Sequence, residues 1–386
     1  MDTFEKDKTY IASTYKRFPI EIVSGKGSIL KDVNGREYID LGSGIAVNSF
    51  GVGDEDFKAA VISQLDLFQH TSNLYYSRPC ADLAAMLCER TGMKKVFFSN
   101  SGAEANECAI KVARKYAAEK HGEDHFTIIT LINSFHGRTL TTLAATGQDK
   151  FHELYRPLTP GFVHVPAGDI EAFKKACTEH KAAGFLMECV QGEGGVVPVD
   201  ADFIRMASSY CRENDILLMF DEVQTGNGRT GKLYSYMHYD VEPDVITTAK
   251  GLAGGLPIGA CLIGGKAQDV FGFGDHGSTF GGNPVSCAAA LSILSRIDDR
   301  LLDEVSDKSR MVREMLEGTP GIESVTGLGL MLGIKTVKPA SEVISKCIEN
   351  GVLPLSAKDK VRLLPALNIP KETLRKAVEI IKRCSE

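Results

Sequence analysis

Three groups of residues stand directly after short apolar runs, where a folded chain could use them for chemistry. Ser101, Gly102 and Ala103 follow the run VFFSN and precede a helical pattern, so backbone N–H groups and a helix dipole would face an anion. Asp221 ends the run LLMF, where a buried carboxylate needs a cationic partner. Lys250 ends DVITTAK before a glycine-rich turn, and desolvation there would lower the pKa of its amine and make it nucleophilic.

An anion cradle, a buried acid and an activated lysine together match one cofactor, pyridoxal phosphate. This cofactor carries a phosphate, a pyridinium nitrogen and an aldehyde. Asp221 would keep the ring nitrogen protonated, and Lys250 would bind the aldehyde covalently and, once released, move protons. The distance between the two residues along the chain suits one strand-to-strand crossover. The residues themselves therefore predict a pyridoxal phosphate site.

The segment GNGRTGK (226–232) offers a competing interpretation, because it fits the G-x-x-x-x-G-K skeleton of a nucleotide-binding P-loop. Its context opposes that reading. Leu233 stands where a P-loop has the Ser or Thr that holds magnesium. The carboxylates of Asp221 and Glu222 would also repel phosphates. A P-loop nucleotide-binding protein, in which Lys232 rather than Lys250 would matter, stays as the alternative from another functional class.

The composition is that of a globular protein without nucleic-acid or membrane partners. The 386 residues are 43% hydrophobic and 24% charged, with a net charge of −6 and scattered basic residues. No run of about 18 apolar residues could span a bilayer, and the N-terminal segment lacks the pattern of a signal peptide. Ten cysteines without a C-x-x-C indicate buried thiols in a cytoplasmic protein. The histidine pair in HGEDH (121–125) does not match a zinc motif, so no metal is expected.

The scaffold that must position these residues alternates between apolar runs and helical patterns. The predicted strands lie at 96–100, 126–131, 184–190, 215–223, 244–250 and 259–265, and 103–120 is strongly helical. Such alternation predicts an α/β fold with a mostly parallel sheet, in which ligands bind at the carboxyl ends of the strands.

The two ends of the chain carry a different pattern. Asn34-Gly35 is a hairpin signal, and a long helical stretch with one break precedes helical patterns near 341–350 and from about 370. We predict a large α/β domain over residues 46–290. Residues 1–45 and 291–386 would together form a small α+β domain.

Longer segments resemble the class III aminotransferases, which depend on pyridoxal phosphate, and within them the acetylornithine aminotransferase branch. The resemblance covers nearly the whole chain and includes SNLYY (72–76), FFSNSGAEANE (97–107), NSFHGRT (133–139), QGEGG (191–195), DEVQTGNGRTGK (221–232), AKGLAGGLPIGA (249–260), HGSTFGGNP (276–284) and VRLLPALNI (361–369). It implies a fold type I enzyme, with a large aspartate aminotransferase-like domain and a small domain. The implied reaction transfers an amine from N2-acetyl-L-ornithine to 2-oxoglutarate in arginine biosynthesis. Ornithine, succinylornithine and 4-aminobutyrate stay open as alternative donors.

The resemblance also implies a role for each matching residue. Lys250 and Asp221 are expected to be catalytic, as the lysine bound to the cofactor and the partner of its ring nitrogen. Further cofactor contacts are implied for Ser101, Gly102, Ala103, Phe135, His136, Gln224, Ser278 and Thr279.

Substrate binding is implied for Arg138, Glu193, Arg362 and Tyr15. The two arginines would bind substrate carboxylates, although Arg362 could instead brace the small domain. Glu193 would pair with an arginine in one half-reaction and release it in the other, and Tyr15 would lie near the entrance. Thr279 is implied to reach the phosphate of a neighbouring subunit, so a homodimer with shared active sites is expected.

Overall fold

Helices and strands alternate along the chain in the computed structural model, which describes residues 1–386. The helices are α1 (Thr3–Tyr10), α2 (Ser43–Ala46), α3 (Glu55–Leu67), α4 (Arg78–Thr91), α5 (Gly102–His121), α6 (Leu140–Ala145), α7 (Ile170–Glu179), α8 (Ala201–Glu213), α9 (Pro284–Leu294), α10 (Asp299–Leu316), α11 (Ala340–Glu349) and α12 (Lys371–Ser385). The strands are β1 (Ile22–Lys26), β2 (Ile29–Asp32), β3 (Glu37–Asp40), β4 (Lys95–Ser99), β5 (Thr127–Leu131), β6 (Phe162–Val165), β7 (Ala182–Met187), β8 (Val190–Gln191), β9 (Val197–Pro198), β10 (Leu217–Asp221), β11 (Val245–Thr248), β12 (Gly259–Ile263), β13 (Ile322–Leu328), β14 (Met331–Thr336), β15 (Val352–Leu353), β16 (Leu355–Ala357) and β17 (Lys360–Leu363). No helix combines the length and the apolar character needed to cross a membrane.

A seven-stranded sheet with the order β4-β12-β11-β10-β7-β5-β6 forms the centre of the molecule. Strands β5, β7, β10, β11 and β12 are buried along their whole length, as expected of a sheet covered on both faces. The helix α5 packs across β12, β11 and β7, while α7 and α8 pack against β6 and β10. The predicted α/β fold with a mostly parallel sheet is confirmed.

One strand departs from the parallel arrangement. β12 pairs antiparallel with both β11 and β4, whereas β11, β10, β7, β5 and β6 pair in parallel. The connection from β11 to β12 is only residues 249–258, which is shorter than the dozen or so residues of a typical parallel crossover. β4 runs in the same direction as β11, so the ends of β4, β7, β10 and β11 share one edge.

The two ends of the chain meet in a second sheet. β1, β2 and β3 form an antiparallel ribbon, and β15 from the C-terminal region adds to β3 in parallel. The Asn34-Gly35 turn joins β2 to β3, as the hairpin signal predicted. A third sheet has the order β13-β14-β17-β16. The domain limits at 45/46 and 290/291 stay a prediction.

Candidate active site

A cavity of about 390 Å³ lies at the carboxyl edge of the central sheet. Nine of the residues singled out in the sequence line it: Ser101, Gly102, Ala103, Phe135, His136, Arg138, Asp221, Gln224 and Lys250. They come from the segments after β4, β5, β10 and β11, which the sheet brings to one edge. The predicted strand-end chemistry therefore converges in space.

Asp221 is the last residue of β10 and is only 4% exposed. Its Oδ2 accepts a hydrogen bond from Asn106 Nδ2 (2.8 Å) and lies 2.8 Å from Nδ1 of His136. Its Oδ1 accepts a hydrogen bond from the backbone N–H of Val223 (3.0 Å). No lysine or arginine is paired with this carboxylate, so it can serve a cationic group placed in the cavity.

Lys250 follows β11 with a φ of +43°, in a region that residues other than glycine rarely adopt. Burial lowers the pKa of its amine, and this outweighs the opposing effect of the Asp221 and Glu193 charges. A neutral amine is nucleophilic and can accept a proton. The strained backbone thus presents a reactive amine to the cavity that Asp221 also lines.

The start of α5 forms the predicted anion cradle. Ser101 caps the helix, and its side chain accepts a hydrogen bond from the N–H of Glu104 (3.2 Å). The N–H groups of Gly102 and Ala103 have no acceptor within the helix, and both residues line the cavity. A Cβ at Gly102 would lie 2.5 Å from Cγ1 of Val223, so only glycine lets the helix approach the segment after β10 this closely. These features suit a phosphate.

A buried ion pair lies beside the cavity. Arg362 on β17 donates from Nη1 to Oε1 of Glu193 (2.5 Å) and to Oε1 of Gln224 (3.1 Å), and its side chain is 4% exposed. Burial acts to raise the pKa of Glu193, but the charge and hydrogen bond of Arg362 overcome it and lower this pKa. Because Gln224 lines the cavity, the ion pair contacts the cavity wall through this residue.

Arg138 lies over two phenyl rings at the mouth of the cavity. Its guanidinium carbon is 4.3 Å from the ring centre of Phe151 and 5.4 Å from that of Phe135. The two rings meet edge to face, with their centres 5.8 Å apart. Cation–π contacts of this kind orient an otherwise exposed guanidinium, which remains free to bind a carboxylate.

Five predicted residues do not line this cavity: Glu193 and Arg362, described above, and Ser278, Thr279 and Tyr15. Ser278 Oγ accepts a hydrogen bond from Asn100 Nδ2 (3.1 Å), and Thr279 beside it is exposed. Tyr15 is 72% exposed, and Arg17 stacks on its ring. Within a single chain the structure brings neither Thr279 nor Tyr15 to the cavity.

Two buried polar residues of the site went unassigned in the sequence. Asn106 donates to Asp221 and to the carbonyl oxygen of His136 (2.8 Å), and its Oδ1 accepts from Thr247 Oγ1 (2.6 Å). Glu188 lines the cavity next to the end of β7. The sequence carries a signal for each of them. Asn106 is a polar residue on an alanine-rich helix, and Glu188 is an acid directly after an apolar strand.

The P-loop-like turn at 226–231 does not form a phosphate cradle. Three of its glycine N–H groups already donate to carbonyl oxygens within 222–233. Arg229 is 2% exposed and donates to the carbonyl oxygens of Leu330 and Pro365. Through Arg229, the turn therefore connects the segment after β10 to two C-terminal segments by hydrogen bonds.

A model of the family described as aminotransferase class-III matches residues 10–384. The chain belongs to the class-III aminotransferases. An acetylornithine aminotransferase of Haemophilus ducreyi is 48% identical over 377 residues, which cover 97% of this chain and 96% of that protein.

Solved aminotransferase structures share the fold of this chain. The ornithine aminotransferase from Toxoplasma gondii is 32% identical, with a TM-score of 0.95 over 99% of this chain and 94% of that one. The acetylornithine aminotransferase from Elizabethkingia anophelis is 33% identical, with a TM-score of 0.89 over 99% of this chain and 97% of that one.

The cavity of this class-III aminotransferase fits pyridoxal phosphate on its own geometry. The free N–H groups at the start of α5 suit the phosphate, and the Asp221 carboxylate suits a protonated ring nitrogen. Lys250 supplies the amine, while Phe135 and Val223 offer apolar surfaces for the ring.

Proposed function

We propose that the chain transfers the terminal amine of N2-acetyl-L-ornithine to 2-oxoglutarate, giving N-acetyl-L-glutamate 5-semialdehyde and L-glutamate, in arginine biosynthesis. Pyridoxal phosphate is the cofactor, and it supplies an aldehyde that binds amines and a ring that withdraws electrons. The proposal is carried by one cavity that Lys250 and Asp221 both line, with the Glu193–Arg362 pair hydrogen-bonded to Gln224 in its wall. The amino donor is supported by the 48% identity to the Haemophilus ducreyi acetylornithine aminotransferase.

Lys250 and Asp221 are proposed as the catalytic residues. The amine of Lys250, whose pKa burial lowers, takes the proton from the substrate carbon that bears the amino group and delivers it to the cofactor side of the same C–N unit. Asp221, held by Asn106 and Val223, keeps the ring nitrogen of the cofactor protonated. Stabilising charge in this way matters most in the transition state.

Cofactor orientation is proposed to depend on the surrounding segments. Ser101, Gly102 and Ala103 would bind the phosphate at the start of α5, while Phe135 would lie against one face of the ring. Gln224 would donate a hydrogen bond from its amide nitrogen to the phenolic oxygen of the cofactor, because its Oε1 already accepts from Arg362. His136 would act through Asp221, from which its Nδ1 is 2.8 Å away.

Two substrates with different charges are proposed to use the same arginines. Acetylornithine has one carboxylate, which Arg138 would bind, whereas 2-oxoglutarate has two and would engage Arg138 and Arg362. Glu193 neutralises Arg362 when no second carboxylate is present, because a buried unpaired guanidinium is costly. Tyr15 remains a proposed residue of the entrance.

We further propose a homodimer with shared active sites. Thr279 is exposed together with apolar residues that include Leu74, Tyr76 and Phe280. Asn73 Nδ2 donates to the carbonyl oxygens of Ser278 and Gly281, which joins the two segments into one surface. Exposed apolar patches of this kind are typical of interfaces, and twofold dimers are the commonest closed assembly. Ser278 and Thr279 would then face the phosphate held by the neighbouring subunit.

The thiols favour a reducing compartment. All ten cysteines are free, and eight of them are buried. Unpaired cysteines in this number are typical of cytoplasmic proteins, and we propose the cytoplasm as the location.

The substrate is tested by measuring kcat/KM for acetylornithine, ornithine, succinylornithine and 4-aminobutyrate, each with 2-oxoglutarate as acceptor. We expect the highest value for acetylornithine. Ornithine is the second candidate, because the Toxoplasma gondii ornithine aminotransferase has a TM-score of 0.95. A higher value for any other donor would overturn the proposed donor while leaving the aminotransferase activity intact.

A further inference from the structure

Glu188 stands beside Asp221 at the edge of the central sheet without a role in the proposed reaction. β7 and β10 pair in parallel with Met187 opposite Phe220, so Glu188 and Asp221 are the next residues on the two chains. Glu188 is 5% exposed and lines the cavity. Burial raises the pKa of its carboxyl to about 7, and the nearby Asp221 charge acts in the same direction. Burying a carboxyl group costs free energy unless hydrogen bonds compensate for the lost water.

The two oxygens of Glu188 each bind a different segment of the site. Oε2 accepts a hydrogen bond from the backbone N–H of Phe135 (3.0 Å), whose ring lines the cavity. Oε1 accepts one from the backbone N–H of Gly192 (3.2 Å). Gly192 directly precedes Glu193, the partner of Arg362. One carboxylate therefore joins the ring beside the cofactor to the acid that pairs with Arg362.

The turn that carries Glu193 has little room to move on its own. A Cβ at Gly192 would lie 2.6 Å from Oε1 of Gln224, and one at Gly194 would lie 2.7 Å from the carbonyl oxygen of Asn133. The turn is therefore closely packed against Gln224 and Asn133.

We propose that Glu188 is a positioning residue that fixes the Phe135 ring and the Glu193 turn relative to each other. By fixing this geometry, Glu188 sets the ratio of the affinities for the amino donor and for 2-oxoglutarate. The inference rests on the proposed function, because it needs Glu193 to pair with Arg362 in only one half-reaction.

Glu188→Gln is the decisive variant, because it keeps the size of the side chain but has only one acceptor oxygen. Its NH₂ group would face a backbone N–H, so one of the two segments must lose its hydrogen bond. We expect a changed visible circular dichroism band of the bound cofactor. We also expect the ratio of the two KM values to shift by roughly tenfold, as for one buried backbone N–H left without an acceptor. Glu188→Asp, which keeps the charge but is one methylene too short, should do the same and serves if the glutamine variant fails to fold.

Asp244→Asn is the matched control. Asp244 is a largely buried carboxyl next to the other end of β11, with a pKa raised mainly by burial, and it accepts a hydrogen bond from the N–H of Leu218 (2.9 Å). This variant should leave the dichroism band and the KM ratio at wild-type values, because it changes a buried carboxyl that does not line the cavity. The proposal is overturned if the Glu188 variants leave both readouts at wild-type values, or if Asp244→Asn shifts them equally. The dichroism of the cofactor-loaded protein tests the role of Glu188 even if wild-type protein fails to use acetylornithine, which would refute the proposed function instead.

Discussion

Replacing Glu193 by glutamine should change the preference of the enzyme between its two substrates. In the resting structure Arg362 is nearly inaccessible to solvent and is held by Glu193 at 2.5 Å. A dicarboxylate substrate must displace Glu193 to reach this guanidinium, whereas a monocarboxylate amino donor leaves the pair intact. Removing the charge of Glu193 therefore helps 2-oxoglutarate and leaves Arg362 without an anion when the amino donor is bound.

The size of the effect follows from the hydrogen bond that is lost. A hydrogen bond to a charged group contributes about 1.5–3 kcal/mol, which corresponds to roughly 10- to 150-fold in an equilibrium constant. Glu193 is 32% exposed, and solvent screening there favours the lower half of the range. We expect kcat/KM for 2-oxoglutarate, divided by that for acetylornithine, to rise by about tenfold or more.

Each half-reaction is followed separately by single-turnover absorbance of the bound cofactor in Glu193→Gln and wild-type protein. Glu193→Asp keeps the charge and serves as the control, with a smaller change expected. If Glu193→Gln changes the rates of both half-reactions by the same factor, the ion pair does not discriminate between the substrates. The role assigned to Glu193 is then wrong.

Further predictions concern the cofactor groups. Lys250→Ala should remove the visible absorbance band of the purified protein, whereas Lys232→Ala in the P-loop-like turn should retain it; the reverse result would favour nucleotide binding. Gly102→Ala places a Cβ 2.5 Å from Val223 and should weaken pyridoxal phosphate binding by at least tenfold in an equilibrium titration, a loss of about 1.4 kcal/mol or more. Burial lowers the pKa of Lys250, so the folded apoprotein binds fewer protons than the unfolded chain between that pKa and 10.5. The resulting destabilisation is present at neutral pH and disappears as pH rises through this window, so Lys250→Met should raise the apoprotein melting temperature at pH 7 but not near pH 10.5.

The positions that end apolar strands could be predicted from the sequence, because the signal is local. Asp221 and Lys250 each interrupt a run of buried residues, and the parallel sheet then brings their strand ends to one edge. The helix start at Ser101 likewise carries its own capping and glycine signals. These features need no knowledge of distant contacts.

Features that depend on the path of the chain could not be predicted in the same way. β12 has the same apolar character as its parallel neighbours, and only the short connection before it determines its opposite direction. Glu188 follows an apolar strand much as Asp221 ends one, but its two hydrogen bonds come from segments after β5 and β7. The stacking of Arg138 on Phe151 depends on how the loop after α6 folds back.

The pairing of β3 with β15 has a consequence for synthesis of the protein. The N-terminal ribbon leaves the ribosome early, but its partner strand is encoded more than 300 residues later, near the separation of 312 between Arg36 and Ile348. At a translation rate of 5–20 residues per second, the edge of β3 stays unpaired for roughly 15–60 s until β15 has been synthesised. An uncovered strand edge is a template for pairing with other chains. Nascent or prematurely terminated chains that lack residue 352 should therefore depend on chaperones to stay unaggregated, although they already contain Asp221 and Lys250.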